Sequence, residues 1–146
     1  MILYHFNWGS PLFGADSKLN LNPVSTELRD KDADSDSDSN SWNSFLSPQA
    51  QFEEQVYLHH LKQNSEGRSG YELFNSNINM GVHVEWDHAA LPCFTQWLMC
   101  GEGEYVLGLE PGNCFPNGRE KERNNNRLEI LPSFAEKEIS LTVEVF

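Results

Sequence analysis

The chain has 146 residues, enough for one domain with a real core, and nothing in its sequence marks a second. Its 22 acidic against 10 basic residues give a formal charge of −12, which repels nucleic acid and anionic membrane and leaves no basic stripe to bind either. Three cysteines without CxxC spacing speak against a disulfide framework or a structural zinc site and fit a reducing cytoplasm; no apolar run approaches the roughly 20 residues of a membrane span, and no signal-peptide pattern opens the chain.

The first segment, "MILYHFNW", reads as a strand. Alternation sets Ile2, Tyr4, Phe6 and Trp8 on one face and Leu3, His5 and Asn7 on the other. The bulky face can anchor in a core while His5 and Asn7 present an imidazole and an amide side by side. A lone strand histidine is equally a hydrogen-bonded structural residue, so the strand by itself leaves the role of His5 open. Next comes "RDKDADSDSDSNS", with aspartates at alternate positions from Asp30 to Asp38. It holds too little apolar surface to order itself, and residues 29–48 are expected to form a flexible acidic loop insertion. The glycine and closing glutamate of a calcium-binding EF-hand loop are missing from it.

Strand character returns in "QFEEQVYLHHL", where regular alternation points His59 and His60 to opposite faces and prevents joint chelation. "GYELFNSNINMG" and "GVHVEWDH" form a predicted hairpin, with Val82, Val84 and Trp86 facing away from His83, Glu85 and Asp87. His83 and Glu85 share a face but lack a third ligand at a fixed offset, so no metal site is expected. "LPCFTQWLMC" and "GEYVLGLE" are further runs rich in β-branched and aromatic residues. Glu110 shares a face with Val106 and Gly108, which leaves room over the glycine for a ligand, and Pro111 is expected to stop the strand. The carboxylate equally suits a cap on the turn that Pro111 and Gly112 would begin. "NGREKERNNNR", 117–127, reads as a polar surface connection, and "EISLTVEVF" as a strand with Ile139, Leu141, Val143 and Val145 on one face. The fold class is all-β, and the cysteines are small apolar fillers. No GxSxG, P-loop or GxGxxG pattern occurs.

Three of these stretches, "LYHFNWGSPLF" (3–13), "FEEQVYLHHL" (52–61) and "LPCFTQWLMCGEGEYVLGLEPGNCFPNGRE" (91–120), carry a resemblance to the galactose mutarotase-like proteins in order and approximate spacing. The sequence is most similar to the aldose 1-epimerase-like branch of that family. The resemblance implies a β-supersandwich of which residues 1–146 are a partial domain, its C-terminal half, with a sugar bound across one sheet. It also implies that His5 is the catalytic acid and Glu110 the catalytic base of an isomerase that interconverts the anomers of an aldose. Glu54, with Glu53 beside it, falls where the family places an acidic residue that hydrogen-bonds sugar hydroxyls. Gln96 and Trp97 would lie near the site with Asn7, reading hydroxyls and packing on the sugar ring, although Trp97 equally suits a core and Asn7 and Asn113 suit strand ends. The implied partner is a small-molecule sugar, with no metal and no organic cofactor called for; oligomeric state is left open. Two alternatives keep the same residues: a non-catalytic carbohydrate-binding protein, and an inactive truncated fragment of the epimerase.

Overall fold

A computed structural model describes residues 1–29 and 41–146. In chain order the elements are β1 (Phe6–Trp8), β2 (Ser17–Asn20), β3 (Pro23–Leu28), β4 (Gln55–Leu61), β5 (Arg68–Asn75), β6 (Met80–Asp87), β7 (Cys93–Cys100), β8 (Tyr105–Gly112), α1 (Arg119–Asn124) and β9 (Leu141–Val145). They build two antiparallel sheets, the first ordered β1-β8-β7-β4-β3 and the second β2-β5-β6-β9. The all-β reading of the sequence is borne out.

The core lies between the sheets. From the first sheet, Tyr57, Leu61, Phe94, Leu98, Leu107 and Leu109 point inward; Tyr71, Leu73, Val82, Val84 and Trp86 meet them from the second. These are alternate positions along each strand, as a period-2 pattern requires when one face is buried. The predicted hairpin is β5 and β6, paired from Arg68 with Asp87 through Asn75 with Met80. Asn79 takes a positive φ of 49° in the connecting turn, which asparagine tolerates better than most residues. Tyr4, Phe6 and Trp8 pack against the core as the alternation demands, and the Trp8 indole donates to the Tyr71 hydroxyl across the two sheets at 3.0 Å. On the far side of the first sheet a smaller apolar cluster of Val56, Leu58, Cys93 and Phe115 packs with Trp97. All three cysteines are free and buried.

Several expectations change. Pro111 does not end its strand: β8 runs on to Gly112, with Pro111 opposite Phe94. The Pro111 carbonyl accepts from the Tyr4 amide at 3.0 Å on the side of the edge strand β1, where a missing ladder donor is tolerated. The aspartates of the predicted acidic insertion fall on residues 30–40, outside the described residues. Within 41–48, Phe45 is buried, with its ring edge-on to Phe13, and Trp42 lies against the core. The polar stretch 117–127 contains the short helix α1, too brief for periodicity to reveal. Its Glu122 is fully buried, accepting from the Phe115 amide at 3.2 Å and from the Arg127 guanidinium at 2.8 and 2.9 Å. Arg127 also lies over the Phe115 ring. At the other edge, Ile139 and Leu141 pack on the core, while Val143 and Val145 are exposed.

Candidate active site

The outer face of the first sheet carries the residues the core leaves over. Alternation on β7 turns Cys93, Thr95 and Trp97 outward and Phe94, Gln96 and Leu98 inward; on β8 it turns Gly108 and Glu110 outward. Thr95 and Glu110 are directly opposite in the ladder, as are Trp97 and Gly108. Leu3 and His5, from the chain entering β1, complete the outward row. Leu3, His5, Thr95, Trp97 and Glu110, with Val56, Arg29, Glu54 and Pro116, line a cavity of about 280 Å³, just below the roughly 300 to 1,000 Å³ of most ligand pockets. A larger and more open depression of about 470 Å³ is lined by Asn20, Lys62, Arg68, Glu85 and others away from this face.

Within the smaller cavity the His5 Nε2 lies 2.9 Å from Glu110 Oε1, with the imidazole 44% exposed and the carboxylate 4%. Burial pushes the Glu110 carboxyl up to about 7, against the opposing pull of the Arg29 charge. The group is thus poised to gain or lose a proton near neutrality, the range in which a general base is most useful. Gly108 is what admits this arrangement. A Cβ there would fall 2.8 Å from Glu110 Oε1, 3.1 Å from His5 Cε1 and 3.2 Å from Trp97 Cβ, so a side chain would displace all three.

At the cavity rim the Trp97 indole donates to Glu54 Oε2 at 2.7 Å, and Arg29 donates to Glu54 Oε1 at 3.4 Å. The indole also meets the His5 ring edge-on, with centroids 5.9 Å apart. Glu54, rather than Glu53, therefore faces the cavity.

The structure brings together His5, Glu110, Glu54 and Trp97. It does not bring Gln96, which points through the sheet into the core, fully buried, where its amide donates to the Trp42 carbonyl at 2.6 Å and its oxygen faces His59 Nε2 at 3.1 Å. As the strand neighbour of Trp97, it has to face the other way. Asn7 shares the outward side of its strand with His5 but is exposed and does not line the cavity. Asn113 is a structural residue, bonded to the Ile2 amide and to Glu129.

Two polar lining residues, Arg29 and Thr95, were missed from sequence, as were the apolar Leu3, Val56 and Pro116. Arg29 opens the acidic run and so reads as part of a solvated loop; its place immediately after the β-pattern of 23–28 is the signal that could have found it. Thr95 shares its face with Trp97, a parity that was available. Among the described residues no three His, Cys, Asp or Glu side chains converge as a metal site would need, and no helix is long and apolar enough to cross a membrane.

Against known proteins, the family model described as a domain of unknown function (DUF4432) matches residues 1–145. A search of the curated proteins finds no match. Among solved structures the chain superposes on a crystal structure described as a "putative aldose 1-epimerase" from Klebsiella pneumoniae subsp. pneumoniae, with a TM-score of 0.85 over 98% of this chain at 20% sequence identity, a likeness of fold. The chain spans 37% of the length of that protein.

Proposed function

We propose, for a chain that belongs to the DUF4432 family and has the fold of an aldose 1-epimerase-like protein, that its outer-face cavity opens and recloses the ring of an aldose and so interconverts its anomers. The observation that carries this reading is the His5–Glu110 pair: a half-exposed imidazole 2.9 Å from a buried carboxylate whose proton affinity is raised to about neutrality, both facing one small cavity.

Ring opening of a hemiacetal needs a proton removed from the anomeric hydroxyl and a proton delivered to the ring oxygen. Both oxygens are bonded to the same carbon, so a base and an acid that touch one another at rest need separate only slightly to address them. In the proposed reaction Glu110, ionised, takes the hydroxyl proton; the electron pair becomes the carbonyl bond; the C1–O5 bond breaks; and protonated His5 delivers its proton to O5. Rotation about C1–C2 exposes the other carbonyl face, and reclosure with the roles exchanged yields the opposite anomer. Each positioned proton transfer contributes on the order of 10²–10⁴-fold. Glu54, held by Trp97 and Arg29, is placed to accept from sugar hydroxyls at the rim, and the Trp97 ring offers an apolar wall.

A non-catalytic carbohydrate-binding protein is the second reading, in which Glu54 and Trp97 hold a sugar at the rim and the His5–Glu110 contact stays closed. Polarimetry or NMR saturation transfer on freshly dissolved α-anomers of a panel of aldoses separates the two. Catalysis accelerates mutarotation and loses the acceleration in Glu110→Gln and His5→Asn; binding alone leaves the spontaneous rate unchanged while the sugar resonances still shift or broaden.

A further inference from the structure

Among the described residues, the Thr95 hydroxyl is the one buried side-chain polar group without a hydrogen-bond partner. Thr95 is 1% exposed, lies on the cavity wall and stands directly opposite Glu110 in the β7–β8 ladder. Side chains paired in this way start from Cβ atoms about 4.5–5.5 Å apart, which places the threonine oxygen and the glutamate carboxylate within reach of one another through side-chain rotation. They are not bonded here, because the carboxylate is turned across Gly108 toward His5. Nor is the hydroxyl open to a ligand from the cavity, since its oxygen is shielded from solvent. A valine would fill the same volume without a stranded donor.

We infer that Thr95 is the positioning residue for Glu110: when a sugar draws the carboxylate off His5, the Thr95 hydroxyl donates to it and holds it as an anion aimed at the anomeric hydroxyl. This rests on sugar binding in the cavity as proposed above, though not on the turnover that follows. A donor that engages the charged form favours that form, so the hydroxyl lowers the proton affinity of Glu110. The other charged or titratable groups facing Glu110 are His5 from the β1 side, Arg29 from the end of β3 and Glu54 from the chain entering β4; all three remain when Thr95 is changed.

The test is a ¹³C-carboxyl NMR titration of Glu110 in the full chain, saturated with whichever aldose of the panel above binds, for wild type, Thr95→Val and Thr95→Ser, alongside the pH dependence of mutarotation. Thr95→Val is expected to raise the proton affinity of Glu110 about tenfold, Thr95→Ser to restore it, and kcat to fall in Thr95→Val with its rise on the acid side displaced to higher pH and KM little changed. An unchanged Glu110 titration in folded, sugar-saturated Thr95→Val overturns the inference. Should that variant not fold, Thr95→Cys, of similar volume and a weaker donor, carries the same comparison and the same overturning result. If wild type shows no mutarotation while the titration shifts, the proposed function fails and the Thr95–Glu110 bond stands.

Discussion

Two histidines on opposite faces of the same sheet show what distinguishes a site from a support. His59, inward from β4, has both ring nitrogens occupied, Nδ1 by the Thr26 hydroxyl at 2.8 Å and Nε2 by Gln96 at 3.1 Å. It is wholly buried, and burial lowers it to about 4, so it stays neutral across the physiological range. His5, outward from the chain entering β1, is half-exposed, faces a cavity and has a buried carboxylate for its neighbour. Strand β7 serves both, sending Gln96 to one and Thr95 and Trp97 toward the other. In the proposed function reactivity follows from incompleteness: the inner imidazole has nothing left to exchange, while the outer one shares its cavity with a group ready to take or release a proton.

The comparison breaks first at the outer face. Glu110→Gln and His5→Asn are each expected to lower mutarotation by 10²–10⁴-fold, measured by polarimetry, with the fold intact by circular dichroism. Gly108→Ala, which drives a methyl group into the carboxylate, the imidazole and the indole together, is expected to cost about 10²-fold in kcat by misplacing the pair.

On the inner face the loss is in stability. Gln96→Leu leaves His59 Nε2 and the Trp42 carbonyl without partners and is expected to cost on the order of 1–3 kcal/mol in chemical denaturation, with activity per folded molecule preserved. Glu110 also has a stability signature. Its folded-state proton affinity lies above the unfolded value of 4.5, so the native state binds more protons between about pH 4.5 and 7, and stability falls as pH rises through that window. Glu110→Gln, neutral throughout, should therefore equal or exceed wild type above pH 7 by on the order of 1–3 kcal/mol, read from urea melts at pH 5 and pH 8. The smallest effect is at the rim: Trp97→Phe removes the indole donor to the exposed Glu54 and is expected to cost less than about 1 kcal/mol of stability while raising KM a few-fold.

Much of the site was legible because a strand's parity is legible. His5 beside Leu3, Glu110 beside Gly108, and the inward Tyr4, Phe6 and Trp8 follow from alternation alone. The same rule, applied across "TQW", excludes Gln96 from any site that holds Trp97; proximity in sequence stood in for it. Cross-strand neighbours were not legible. That Thr95 faces Glu110, or that Arg29 reaches Glu54, depends on register between strands far apart in the chain, which local pattern does not encode. Pro111 misled because a proline's tolerance depends on which neighbour its missing donor would have faced. Helix α1 hid because six residues give less than two turns.

Glu122 and Arg127 brace the segment that leads to one wall of the cavity. Glu122 holds the amide of Phe115, and the next residue, Pro116, is part of the lining. Because the acidic partner has no contact with water, mobile ions screen this tie far less than a surface pair. The cavity mouth should therefore keep its shape in brine as in dilute buffer, and slacken only when the latch beneath it is cut.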